Sequence, residues 1–408
     1  MRKILLTVGL LTFLSLGLGH GHASAESDLV SKCGKVTQNQ NPSFQQLNCL
    51  LTNAALEANI PPEVVKAVAW QENGWKQFNA DGSPSISDDS GIGVMQITNY
   101  PGYDEEKLKT DILYNIESGA KILSSKYDQG NLPKIKGARR QDIENWYFAV
   151  MAYNGTKPVN SPLFKDTGKP NPDAYQEKVF KYIEENSFLG DTKLAKFPFK
   201  TTDFKYDSNS DANIEFTTRV YTLSEKLHPS NYYYNKGVKV ATTIDNANLR
   251  AQPGTSQSVK LLGKFSALTI TGNFVYDQSS DSQNQFVWYP VMSGDKKVGY
   301  ISSSYITAPV CTPCLQYHKG EIIPWDRDKL VPGQLGRLTV LQNTPLFKLD
   351  GTFVRMLKKG DPLYRIYAFK PGMLSVGGGL YVNRDEKVKY ETPSKSKLDA
   401  VKCIANYY

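Results

Sequence analysis

No apolar run after Leu18 in this 408-residue chain is long enough to cross a bilayer. Basic residues form no block interleaved with aromatics, and a net charge of +8 is too small and too scattered to point to nucleic acid. Metal chemistry is as poorly supplied. Cys311-Thr312-Pro313-Cys314 lies near His318, with Cys403 far along the chain, and these do not make four ligands at a zinc spacing. No βαβ pattern surrounds the Cys-x-x-Cys pair, which removes the usual redox setting. No Leu-x-x-Cys pattern precedes Cys33, so nothing marks that cysteine for a lipid anchor.

What is present begins with an export signal. Arg2 and Lys3, the apolar run from Ile4 to Leu18 and the small residues Ala23-Ser24-Ala25 stand in the order such a signal requires. Cleavage near Glu26 leaves about 380 residues, enough for two to four domains. It removes two positive charges and takes the balance from +8 to +6. A modest positive balance outside the cell suits an acidic polymer such as a bacterial wall. The cysteines then meet an oxidising environment, where Cys33 with Cys49 would tie an N-terminal arm to the first helix. For Cys311, Cys314 and Cys403 a local or Cys403-linked disulfide is expected, with one cysteine left over. Spacing does not fix the connectivity.

Residues 44–188 read as mainly helical. Ile112, Ile116, Ala120 and Leu123 repeat at helical spacing, with Thr110 placed to cap the start. Ile143, Trp146, Tyr147, Val150 and Met151 follow the same period until Gly155. Asn171-Pro172 has the form of an N-cap with proline at the first helical position, and Tyr175, Val179, Tyr182 and Ile183 form the next stripe. These stripes are core. One member of such a stripe is not apolar. In the helix that begins at Pro61-Pro62, Glu72 falls seven after Val65, four after Val68 and three after Ala69, so it projects from the core-facing side. Partial desolvation favours the protonated carboxyl, the state a general acid needs at neutral pH.

From residue 189 the texture changes. Polar residues without helical period dominate 189–237, which reads as a linker. Short β-rich runs follow: Val238-Lys239-Val240, Ala267 to Thr271, Phe286 to Val291 and Val298 to Ile301, with turn residues between them. A second β-rich stretch runs over 337–392, punctuated by Gly351, Gly360 and Gly377-Gly378-Gly379. The two stretches are read as distant repeats, although no alignment joins them.

Glu72 is followed by Gly91-Ile92-Gly93-Val94-Met95-Gln96, then Ala152-Tyr153-Asn154-Gly155, then Tyr175. Each is weak alone, but their order and separation resemble the soluble lytic transglycosylase family, whose fold is that of goose-type lysozyme. The resemblance covers about a third of the chain. It implies an all-α lysozyme-like domain over 44–188 in which Glu72 protonates the oxygen between N-acetylmuramic acid and N-acetylglucosamine. It implies that Met95 and Gln96 line the sugar cleft, that Tyr153 and Asn154 lie close to the glutamate, and that Tyr175 closes the far side. An oxocarbenium-like transition state needs such a donor and such orienting groups. Asn73 stands where the family has serine, so an amide must take over any hydroxyl contact, and Val94 stands where it has leucine. No metal or cofactor is implied. A lytic transglycosylase uses the muramic C6 hydroxyl as nucleophile and leaves a 1,6-anhydro product. A hydrolytic muramidase needs a second carboxylate. Asp88 and Asp89 are the candidates, and a solvated loop pair is the favoured reading of both. A wall-binding scaffold without catalysis is the rival from another class.

Asn248-Leu249-Arg250-Ala251-Gln252-Pro253-Gly254, Trp288-Tyr289-Pro290-Val291 and Val298-Gly299-Tyr300-Ile301 resemble the bacterial SH3 domain. The resemblance implies a small all-β barrel over 238–308 that holds the enzyme on peptidoglycan, with Trp288, Tyr289 and Tyr300 as a possible ligand platform or as core. Residues 337–392 look like a second, diverged barrel. The expected order is therefore a leader at 1–25, an arm at 26–43, the helical domain, a linker, a first β unit, a linker at 309–336, a second β unit and a tail at 393–408. A secreted, wall-associated monomer without nucleic-acid partners is expected.

Overall fold

The computed structural model describes residues 31–98, 101–186, 193–254, 257–277, 279, 281–308, 323–326 and 328–407. The expected leader and the cluster of Cys311, Cys314 and His318 lie outside these. No helix among the described residues is long and apolar enough to cross a membrane. The chain divides into two compact units, Met1–Lys126 and Tyr127–Tyr408. The division falls within the stretch 44–188 expected as one domain.

In the first unit, helix α1 (Phe44–Glu57) starts at Ser43, whose hydroxyl accepts from the Gln46 backbone N–H. Cys33 and Cys49 form a disulfide that fastens the arm to this helix, as expected. Helix α2 (Pro62–Asn73) follows, with proline where no backbone donor is needed and Gly74 in the left-handed conformation (φ +54°) at its end. The expected single core face is corrected here: every residue from Pro62 to Ala69 is buried, Glu63 and Lys66 included, and solvent reaches the helix only from Trp70 onward. Burial lowers the Lys66 pKa to about 7, against a smaller upward pull from Glu63. The Lys66 carbonyl accepts from the Trp75 indole at 2.8 Å. Helices α3 (Glu105–Thr110) and α4 (Ile112–Tyr127) complete the unit. Thr110 does not cap α4. Its hydroxyl donates to the Glu106 carbonyl within α3, and Asp111 caps instead, accepting from the backbone of Leu113 and Tyr114. A carboxylate reaches those N–H groups from one position closer.

In the second unit, after strand Lys134–Ile135, a 3-10 turn, Ile143–Trp146, runs into α5 (Tyr147–Asn154), and the chain continues to α6 (Tyr175–Asn186). Asn171 and Pro172 form a turn before α6 rather than its cap: the Asn171 amide donates to the Val159 and Ser161 carbonyls. Residues 193–237 also depart from their expected role as linker. Strand Val220–Tyr221 pairs with Lys134–Ile135. Phe197 and Phe199 stack at 5.0 Å, and Tyr221 stacks on Phe148 at 5.8 Å. The buried Glu144 carboxylate accepts from the backbone of Ala195 and His228 and lies 2.6 Å from His228 Nδ1. These aromatics are spaced without helical period, so they read as connection, yet their ring packing folds the segment onto residues 134–148.

Beyond it lies one seven-stranded antiparallel sheet, in the order Ile306–Thr307, Lys239–Thr242, Ala267–Ile270, Trp288–Ser293, Val298–Ser302, Ala247–Arg250, Ser258–Leu262. Trp288 and Tyr289 are buried in its core, so they do not form a ligand platform. A Cβ on Gly299 would lie 2.6 Å from the Arg250 carbonyl, which is why that strand carries glycine there. Residues 336–391 form a three-stranded and a five-stranded sheet around one core that includes Leu338, Leu346, Leu357, Ile366, Leu374 and Val382. The stretches expected as linker and tail also meet: Ile323, Trp325 and Leu330 of a hairpin pack on Ala400 and Val401 of α7 (Lys395–Tyr407). Cys403 sits on α7.

Candidate active site

Glu72 occupies the last turn of α2 and is half-buried. Val65, Val68 and Ala69, from which its position was inferred, are all fully buried. The neighbouring Asn73 amide donates to Ser85 Oγ at 2.9 Å, to the Lys76 carbonyl at 2.7 Å and to the Gly93 carbonyl at 3.3 Å. The amide therefore spans from the helix end to the glycine loop.

The glycine loop is held from beneath. Gln77 Oε1 accepts from the Val94 N–H at 3.0 Å and Asn115 Oδ1 from the Met95 N–H at 3.0 Å. The Asn115 amide donates to the Ile92 and Leu108 carbonyls, and the Gln77 amide to those of Leu108 and Lys109. Both side chains are fully buried, and their backbone bonds offset the cost of placing amides there. Gly93 has φ +71°, and a Cβ on it would lie 2.3 Å from Gln77 Oε1. Only glycine serves at this position. Gln96 turns back to donate to the Gly93 carbonyl at 2.8 Å, so Asn73 and Gln96 converge on one acceptor.

Met95 is corrected. It is fully buried and does not line an open cleft. A Cβ on Gly119 would meet its side chain at 2.6 Å, so Met95 fills the space that glycine leaves on α4 and anchors the loop from inside. Asp88 and Asp89 are exposed, and Asp89 accepts from the Ser87 hydroxyl, as fits a solvated loop pair.

The remaining candidates belong to the second unit. Tyr153 is half-buried and Asn154 exposed on the last turn of α5, and Tyr175 is buried at the start of α6. Asn160, which sequence reasoning missed, joins two of them. Its amide donates to Asn154 Oδ1 at 2.9 Å and to the Gly155 carbonyl at 2.8 Å, and its own Oδ1 accepts from the Tyr175 N–H at 3.1 Å. Gln176 donates to the Asn160 carbonyl, which fixes the turn further. Next along α6, Glu177 accepts from the Tyr147 hydroxyl at 2.5 Å. Burial holds the Glu177 carboxyl above its usual range, and that hydrogen bond only partly offsets the effect.

Asn115 had a legible signal: a polar residue three after Ile112 and four before Gly119, set into an apolar stripe just as Glu72 is. Gln77 and Asn160 lie outside any periodic segment and had none. Chemically, the first unit offers one half-buried carboxyl beside a rigid backbone loop, and the second an exposed amide and the Tyr175 backbone tied together by a buried asparagine, with the half-buried phenol of Tyr153 next to that amide in sequence.

Residues 50–173 match the family model of the transglycosylase SLT domain. No curated protein matches the chain. The SLT domain is that of a peptidoglycan lytic transglycosylase, so this chain is an enzyme and its substrate is peptidoglycan.

Proposed function

We propose that Glu72 is the general acid for cleavage of the β-1,4 bond between N-acetylmuramic acid and N-acetylglucosamine. The glutamate donates its proton to the glycosidic oxygen as the C1–O bond breaks. The resulting carboxylate takes the proton from the muramic C6 hydroxyl as that oxygen closes on C1, giving a 1,6-anhydro product and restoring the acid. The observation that carries this reading is the half-buried Glu72 at a helix end whose next residue, Asn73, is bonded to the glycine loop. A carboxyl in such a place is partly desolvated and rigidly mounted. The exposure of Asp88 and Asp89 favours a single-carboxylate mechanism over one that activates water. Gln96, Tyr153, Asn154 and Tyr175 orient the sugar in this reading. The enzyme is exported by its leader, and the β units, SH3-like in their motifs, hold it on the wall.

Digestion of purified sacculi followed by mass spectrometry tests both steps. Anhydro ends, one water lighter than reducing ends, are expected, and Glu72→Gln is expected to abolish them while the protein stays folded. Reducing ends alone would assign the chain to the hydrolases, and an undiminished Glu72→Gln digest would remove Glu72 from the chemistry.

A further inference from the structure

The hairpin of strands Thr344–Lys348 and Phe353–Leu357 forms one edge of the five-stranded sheet in the last β unit. Leu346 and Leu357 point into the aliphatic core, so by alternation Pro345 and Phe347 point away from it. Across the ladder Met356 stands opposite Pro345, and Phe353 opposite Phe347. The second of these pairings depends on a bulge. Val354 is the extra residue between the Leu346–Arg355 and Phe347–Phe353 pairs, and an unbroken register would have set Val354 against Phe347. The outward face of the hairpin is therefore apolar along its length, and it lies in solvent. Phe353 is 60 % exposed, Met356 42 % and Leu349, in the turn, 55 %.

Charge of one sign surrounds this face. Residues 344–359 carry four Lys and Arg against one Asp, a balance of +3. Lys348, Lys358 and Lys359 stand exposed at the strand ends, and among the described residues no carboxylate lies within ion-pair distance of their ammonium groups. The one carboxylate, Asp350, turns back within the turn to accept from the Thr352 N–H. The four outward side chains hold no hydrogen-bond donor, so they offer little to the hydroxyls of a glycan or the amides of a peptide. A second copy fits no better: the bulge and the lysines blunt the strand edge, and two such faces together would set lysine against lysine. Acyl chains ask for no hydrogen bonds, and phosphate headgroups match the ammonium groups.

We infer that this hairpin docks the protein on an anionic lipid surface. Leu349, Phe353 and Met356 enter the boundary between headgroups and acyl chains, while Lys348, Lys358 and Lys359 meet the phosphates. Both signals are needed, because charge alone is lost in salt and a small apolar patch alone holds weakly. The inference rests on the export of the chain proposed above and not on the role assigned to Glu72.

The test is flotation of the chain from Glu26 onward with vesicles of phosphatidylglycerol and phosphatidylcholine in equal parts. Co-flotation is expected at low salt, with affinity about tenfold lower on phosphatidylcholine alone. Phe353→Ser with Met356→Ser should lower affinity about tenfold, with an unchanged melting temperature as the check on folding. Leu349→Ser alters no strand residue and should lower it about fivefold, so the apolar contribution is read even if the double variant fails to fold. Lys358→Glu with Lys359→Glu should lower it about tenfold and remove most of the salt dependence. Glu72→Gln should float as the unaltered protein does, so a failed catalytic assignment leaves this result standing. Absence of co-flotation would overturn the inference, as would co-flotation that high salt abolishes and the serine substitutions leave unchanged. A sedimentation coefficient that rises with protein concentration, and no longer does so in Leu349→Ser, would overturn it by giving the face to a second copy.

Discussion

The glycine loop and the last β unit solve opposite problems with opposite means. Around residues 91–96 two fully buried amides, Gln77 and Asn115, are spent on fixing backbone. Around residues 336–391 the core is mainly aliphatic, with Thr344 and Ser375 as its buried polar side chains. The charge follows the same division. Residues 323–408 carry 15 Lys and Arg against eight Asp and Glu, whereas residues 26–188 carry 17 against 21. The first region places burial where geometry must be held, and the second gains stability from area and presents a cationic surface. A buried amide network contributes less to stability than the same volume of hydrocarbon, but it allows one arrangement only.

The largest effect should come from exchanging one residue in each region. Asn115→Ala leaves the Met95 N–H without its partner, removes one of two donors to each of the Ile92 and Leu108 carbonyls and should cost about 3 kcal/mol, with a severe loss of glycan turnover. Leu374→Ala should cost about 3 kcal/mol through its cavity, with turnover on soluble glycan chains unchanged. Thermal melts and a soluble-substrate assay on both variants decide. Equal turnover in the two would break the comparison. Next in size, Cys33→Ser with Cys49→Ser opens a loop closed across 16 residues and should remove about 3 kcal/mol of stability. Addition of reductant to the unaltered protein should reproduce the drop in melting temperature.

Lys66 gives a smaller, pH-dependent effect. Its folded pKa of about 7 lies below the unfolded 10.5, so between these values the unfolded chain binds the extra proton. Stability therefore rises with pH across that window, and the gain is lost again as pH falls from 10.5 to about 7. The difference in melting temperature between the unaltered protein and Lys66→Met should narrow as pH rises from 7 to 10. A constant difference would mean that Lys66 keeps its proton. The smallest effect belongs to the cationic β region. Lys358→Ala with Lys359→Ala should leave the melting temperature unchanged and weaken sedimentation with sacculi at low salt, less so at high salt. A loss independent of salt would point away from charge.

Much of the helical region was legible because burial imposes a period. Ile112, Ile116, Ala120 and Leu123, and likewise Ile143, Trp146, Tyr147, Val150 and Met151, are all buried as their spacing requires. Periodicity failed where burial is isotropic or aperiodic. It gave α2 one core face, although that helix is buried all round to Ala69, and it read 193–237 as a linker because phenylalanines two apart carry no helical signal. The caps at Thr110 and Asn171 were each misjudged for one reason: several polar residues near a helix start compete, and reach in three dimensions selects among them.

Composition and order alone determined that the chain pairs a helical enzyme with β-rich units, and they singled out Glu72, because a carboxyl on an apolar stripe and a recurring motif order are one-dimensional facts. Tertiary structure decided the rest. It moved Met95 from the cleft into the core, put the Asn73 amide across to Ser85 and Gly93, and brought Asn160 between Asn154 and Tyr175. Each of these is a hydrogen bond or a packing contact between residues distant in sequence. Such pairings are set by the direction of a side chain after the chain has closed on itself, and no local period encodes that direction.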